Sequence, residues 1–187
     1  MKSIHLKKAV SGDVSALNHL LNQHKDIAFS IAFRILQNKD NAEDAVQDAF
    51  IRVFKYIRKF RNDSQFSTWL YRIVYNECMR VKKEYSQMHF SNVDGDDKVI
   101  DYPVIDDALE KLVESDRKRI IREALDTLHP NESLVLTLFY LEDKTIKDIH
   151  IITQLSKSNI KVILFRARKN LNKILNRMFN YEKEPIV

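Results

Sequence analysis

The sequence predicts an all-α chain of two small helical domains joined by a flexible acidic linker, the second domain holding a helix-turn-helix. Three observations carry this. Apolar residues recur at intervals of three and four along most of the chain, and no alternating strand pattern survives comparison with them. With 2 Gly and 3 Pro in 187 residues, the chain lacks the tight turns of an all-β fold. The helical period lapses once, over residues 86–107, and the charge changes sign there. Residues 1–85 carry 15 Lys and Arg against 9 Asp and Glu, residues 86–116 carry 2 against 9, and residues 117–187 carry 14 against 8. The expected boundaries are therefore a domain at 1–85, a linker at 86–107 and a domain at 108–187. Two basic blocks around an acidic middle suit a protein that touches a polyanion at two places.

In chain order, Ser11-Gly12-Asp13 reads as a helix entry, followed by Val14, Leu17, Leu20, Leu21, Ala28, Ile31 and Ile35 at helical spacing. That helix is expected to end near residues 37–39. Asp40 and Glu43 have capping-box spacing for a second helix. Its apolar stripe is Val46, Ala49, Phe50, Val53, Phe54 and Ile57, and its other face carries Asp44, Gln47, Asp48, Arg52, Lys55 and Arg58. A third helix is expected from Ser67 or Thr68, with Trp69, Leu70, Ile73, Val74 and Cys78, then Arg80, Lys82 and Lys83. The loop before it, residues 60–66, is polar and basic with a phenylalanine at each end. Helical pattern resumes near Ala108, and Ile120, Ile121, Ala124, Leu125 and Leu128 lead to His129-Pro130, where proline opens another helix.

The stretch from Thr145 to Leu175 reads as two helices and a tight turn. Thr145 and Asp148 have capping-box spacing, Ile146, Ile149 and Ile152 form an apolar face, and Ser156 offers a second cap. On the long helix that follows, Ile160, Ile163, Leu164, Ala167, Leu171, Ile174 and Met178 share one arc. Lys161, Phe165, Arg168, Lys169 and Lys173 lie outward, with Ser158 and Arg166 near them. This suits a helix-turn-helix facing a DNA major groove. A solvated basic helix closing a bundle fits the same pattern.

No enzyme site stands out. Two glycines cannot build a phosphate loop, one cysteine cannot build a thiolate cluster, and the six histidines show no zinc spacing. Asp94, Asp96 and Asp97 lack the glutamate a calcium loop requires. No cofactor or metal is expected. Cys78 sits in a helical pattern as a small packed residue, and a single cysteine suits a reducing cytosol only weakly. No signal-peptide pattern follows Lys2 to Lys8, and the apolar run Leu134 to Leu141 is too short for a bilayer. A cytoplasmic location without membrane insertion is expected.

Three motifs carry a resemblance. Asp40-Asn41-Ala42-Glu43-Asp44-Ala45-Val46-Gln47-Asp48-Ala49-Phe50 resembles the polymerase-core-binding segment of sigma factors. Phe66-Ser67-Thr68-Trp69-Leu70-Tyr71-Arg72-Ile73 with Asn76 resembles the promoter −10 segment of the extracytoplasmic-function group of that family. The stretch from Leu125 to Leu171, ending Phe165-Arg166-Ala167-Arg168-Lys169, resembles the group's second domain. The motifs stand in the right order and span nearly the whole chain.

The resemblance implies a factor that binds core RNA polymerase, directs promoter recognition and melts the −10 element. It implies that Asp44, Gln47 and Asp48 dock on the clamp helices of the polymerase's largest subunit. It places Phe60, Arg61, Asn62, Ser64 and Phe66 at a flipped base of the melted −10 strand, with Trp69, Arg72, Asn76 and Arg80 near the separating strands. Ser158, Asn159, Lys161, Phe165 and Arg166 would face the −35 element, with Lys169 toward phosphate. A separate anti-sigma factor is an expected partner. The chain departs from many members at His150, Gln154 and Ile163, where they carry Ala, Gly and Arg. Glycine suits a turn with positive φ, so Gln154 there costs backbone energy or implies another turn. Two rival readings stand beside this one: a stand-alone helix-turn-helix regulator with a helical sensing or dimerisation domain, and a helical scaffold that binds no DNA.

Overall fold

The computed structural model describes residues 4–88 and 114–181, and every regular element among them is helical. The first group comprises α1 (Ile4–Val10), α2 (Val14–Leu36), α3 (Lys39–Tyr56) with a 3-10 turn at Ile57–Lys59, and α4 (Phe66–Met88). The second comprises α5 (Glu114–Asp126), α6 (Pro130–Leu136) running into a π-helical turn at Thr137–Leu141, α7 (Ile146–Thr153) and α8 (Lys157–Tyr181). Most of the expected linker and the expected helix start at Ala108 lie outside the described residues; α4 itself takes in positions 86–88.

Local chemistry explains the boundaries. The short α1 has no sequence signature; its seven residues hold too few turns for a period to be read, although Ala9 is fully buried. Gly12, at φ 106, makes the turn into α2, and the Asp13 carboxylate caps that helix by accepting from the Ala16 N–H at 3.0 Å. Gln37, in the left-handed region at φ 53, ends α2. The expected Asp40–Glu43 box does not open α3. Asn38 caps it, its side-chain oxygen accepting from the Asn41 N–H at 2.9 Å. Asn and Asp are near-equal caps, and Asn38 comes first after the α2 stop, so Asp40 falls in the first turn and favours the dipole instead. His129 and Pro130 start α6 as expected.

In the first group Leu17, Leu21, Ile31, Val53, Leu70 and Val74 are buried. Cys78 is packed among them, and burial, helped by the Glu77 carboxylate, pushes its thiol up to about 12. It is inert at neutral pH. In the second group Leu134, Leu138, Ile149, Ile152, Ile160 and Leu164 form the interior. Glu132 ties α6 to α8 by accepting twice from the Asn170 amide at 3.0 Å.

The sequence says nothing of how the two groups sit, and here they are docked. One hydrophobic core runs through both. Arg34 of α2, 5% exposed, donates to Asp126 Oδ1 at 3.0 Å and to the Ser133 hydroxyl. Lys144 is buried and donates to Gln65 Oε1 at 3.0 Å and Ser67 Oγ at 2.7 Å. Tyr71 donates to Glu142 Oε2 at 2.8 Å, and Thr68 donates to Asp148 Oδ1 at 3.3 Å. His24 Nδ1 lies 3.1 Å from the Tyr71 oxygen. With the tyrosine proton given to Glu142, the ring donates there as a neutral tautomer.

Burial first, and Lys144 second, hold the His24 pKa below its ordinary 6.5. Above that value the ring is neutral whether the chain is folded or not, and its contribution is complete. As pH falls through it, the unfolded chain takes up the proton more readily, and stability is lost. The thermal midpoint is expected to drop between pH 7 and pH 5 by more in the native chain than in His24→Gln. Scanning calorimetry across that range checks this.

Candidate nucleic-acid interface

Three surfaces emerge. The first is a face of α3. Asp44, Gln47 and Asp48 are exposed, spaced so that they share one side of the helix. Ile51, 59% exposed, continues that side, and Phe54, 40% exposed, flanks it. The sequence reading placed neither of them there. Phe54 was expected in the packed stripe, but the core takes Val53 and Ile57 and leaves Phe54 at its edge. The readable signal was Ile51, an isoleucine at the i+3 and i+7 positions from Asp48 and Asp44. The surface is thus a carboxylate patch with an apolar border, suited to a protein partner rather than to DNA.

Asp48 is not isolated. Arg80 of α4 donates to it at 2.8 Å, and also to Glu77 Oε2 at 3.0 Å and Glu84 Oε1 at 2.9 Å. Glu77, whose side chain is nearly buried, pairs through its other oxygen with Arg52. Arg80 therefore stands among three carboxylates, a setting its expected place near DNA did not foresee.

The second surface is the residue 60–66 loop and the start of α4. Phe60 and Phe66 are buried, and their rings pack on each other at 6.2 Å and on Trp69 at 5.2 and 6.0 Å. Trp69 is half-buried at the rim of this cluster. Asn62, in the left-handed region at φ 62, turns the loop, a conformation asparagine tolerates. Arg61, Arg72 and Asn76 are exposed, and Ser64 is partly so. The loop thus offers one accessible aromatic edge beside cations, the pairing that holds an unstacked base and its phosphate. Phe60 and Phe66 support that edge from below.

The third surface is the helix-turn-helix. The Thr145 hydroxyl accepts from the Asp148 N–H at 3.1 Å while the Asp148 carboxylate accepts from the Thr145 N–H at 3.2 Å, completing the expected capping box. The turn is made at Gln154, φ 61, where the N–H still reaches the His150 carbonyl at 2.9 Å. His150 is exposed rather than wedged between helices. Its Nδ1 lies 2.7 Å from the Leu155 carbonyl oxygen and, donating to it, braces the turn that glycine makes elsewhere. Ser156 caps α8 through the Asn159 N–H at 3.1 Å. Ser158, Asn159 and Lys161 are exposed on the first turns of α8, Phe165 and Arg166 are half-buried, and Lys169 is exposed. First-turn residues of a second helix are those that reach base edges. Ile163 is half-buried on the packed arc.

A non-glycine residue in the left-handed region costs about 1–2 kcal/mol, of which glycine recovers part at the expense of unfolded-chain entropy. Gln154→Gly is therefore expected to raise the thermal midpoint by roughly 2 °C, and calorimetry tests it.

The helix order and these surfaces match known proteins. The model for Sigma-70 region 2 matches residues 20–86, and that for Sigma-70, region 4 matches residues 118–171. The chain is 28% identical over 176 residues to the ECF RNA polymerase sigma factor SigW of Bacillus subtilis, covering 91% of this chain and 94% of that protein. It is 27% identical over 180 residues to the ECF RNA polymerase sigma-E factor of Haemophilus influenzae, covering 90% and 93%. Among solved structures, the sigma factor RpoE of Bartonella quintana, crystallised with the anti-sigma factor NepR, aligns with a TM-score of 0.61 at 22% identity over 87% of this chain and 98% of that one. CnrH, in complex with the cytosolic domain of CnrY, aligns with a TM-score of 0.60 at 19% identity over 93% and 96%. These two share the fold. Among the described residues, no helix is long and apolar enough to cross a membrane.

Proposed function

The chain belongs to the extracytoplasmic-function sigma factors of the sigma-70 family, and we propose from that premise a division of labour among its three surfaces. As a sigma factor it binds core RNA polymerase and promoter DNA and directs transcription initiation. The α3 face, Asp44, Gln47 and Asp48 with Ile51, docks on the polymerase. The rim of Trp69, Arg61, Arg72 and Asn76 holds the melted −10 strand, with Phe60 and Phe66 shaping the pocket and Asn62 and Ser64 lining the loop. Arg80 joins that rim once drawn from its carboxylates. The first turns of α8 read the −35 element, with Ser158, Asn159 and Lys161 toward bases, Phe165 and Arg166 behind them, and Lys169 on phosphate.

The observation that carries this is the separation of chemistry by surface. Carboxylates and apolar groups share α3, whereas cations and an aromatic edge share the loop and α8. The chain contributes no catalytic group; phosphodiester chemistry belongs to the polymerase, in the cytoplasm. Residues 1–85 and 108–187 act as the two DNA-facing domains, tethered by 86–107. An anti-sigma factor is the partner that restrains it, as NepR is the anti-sigma factor bound to the RpoE that shares this fold.

The test is run-off transcription with purified core enzyme on genomic fragments. Promoter-selective transcripts are expected only when this chain is added. Equal transcription without it overturns the reading. A stand-alone regulator would instead bind duplex DNA tightly without polymerase and leave core enzyme unselective.

A further inference from the structure

The docked interface lies along the flank of the −10 surface. Gln65, Ser67, Thr68, Tyr71 and Asn76 all face the second group, through Lys144, Asp148, Glu142 and Gln154. Asn76 Oδ1 is 3.5 Å from the Gln154 amide, on the very turn of the helix-turn-helix. The segment that reads the −10 strand and the motif that reads the −35 element are thus side by side. On a promoter those elements lie roughly 25 base pairs apart, on the order of 80 Å of duplex. One docked chain cannot span that distance. The −35 surface is open in this arrangement, since Ser158, Asn159 and Lys161 are exposed, while one side of the −10 segment is covered.

We propose that this docked arrangement is a promoter-silent form of the chain, in which the segment from Glu142 to Asp148 acts as an intramolecular plug beside the −10 pocket, and that productive promoter engagement requires the two groups to part. This rests on the sigma-factor reading above. The plug is polar: a buried lysine on two neutral acceptors, a tyrosine on a carboxylate and a threonine on a carboxylate. Such contacts exchange readily for water, whereas an apolar seam would not. The arrangement is therefore suited to opening when polymerase captures α3 and DNA draws α8 away. Any ligand that binds only the parted form shifts the balance by its differential affinity.

Two variants test it. In Thr68→Cys with Asp148→Cys, oxidation bridges the plug to α4; Cys78, buried and protonated, does not compete. The oxidised chain is expected to lose promoter-directed run-off product by about tenfold or more and regain it on reduction. Bridged protein that initiates as well as its reduced form overturns the proposal. Should the reduced variant itself be inactive, Lys144→Ala decides. It is expected to lengthen the distance between fluorophores on α2 and α8 and to raise the free chain's affinity for a single-stranded −10 oligonucleotide roughly fivefold. Unchanged distance and affinity overturn the proposal. A native chain that confers no promoter selectivity on core enzyme would sink the sigma-factor reading instead, and the fluorescence distance would still report on docking.

Discussion

Asp44→Arg is expected to remove the chain from core polymerase, weakening association by at least about tenfold. Losing one side of a close interfacial charge pair costs about 2–5 kcal/mol, and reversing its sign adds repulsion. Asp44 is exposed on the far side of α3 from Ala45, Val46 and Ala49, which carry the packing. The substitution therefore leaves the fold intact, and the thermal midpoint is expected to move little. Ile51→Asp extends the test, since it removes the apolar border without touching a charge. Pull-down of tagged core enzyme reads both variants. Retained association would move the docking face elsewhere, and association that is absent in the native chain as well would favour the stand-alone regulator.

Trp69→Ala is expected to cut promoter opening by about tenfold to a hundredfold, since stacking a base on an aromatic ring is worth about 1–3 kcal/mol. The ring also packs on Phe60 and Phe66, so part of any loss is structural. Trp69→Phe separates the two effects, because it keeps a π face at the rim. Permanganate reactivity of unpaired thymines across the −10 element measures opening. Affinity for duplex −35 DNA is the internal control, expected unchanged because α8 contributes nothing to the Trp69 cluster. Equal opening by the alanine variant would remove Trp69 from the strand-trapping role.

The helices were legible because their apolar residues keep a strict period; the buried positions of α2, α3, α6 and α7 coincide with those stripes. The capping box at Thr145 and the proline start at Pro130 were legible because each is a local chemical requirement. What escaped was of two kinds. Some choices are near-degenerate locally, as between Asn38 and Asp40 for one cap. Others are tertiary: Arg34, Lys144 and Tyr71 look like ordinary members of polar or aromatic faces until a distant segment closes over them. The candidate site shows the same split. The exposed charges of α3 and α8 could be placed from the wheel, whereas the ion pairs of Arg80 and the bracing role of His150 depend on partners that spacing alone does not reveal.

The π-helical turn at Thr137–Leu141 bears on how the chain tolerates length changes. Its wide loop, closed by the Glu142 N–H on the Thr137 carbonyl at 3.1 Å, holds one residue more than an ordinary helical turn, the mark of a single-residue insertion accommodated in place. Deleting one residue there would let the helix relax to regular winding, yet everything downstream would be rephased by about 100°. The recognition motif would keep its own structure and point at the wrong side of the duplex. A shortened chain of that kind would be folded, stable and deaf to its promoters.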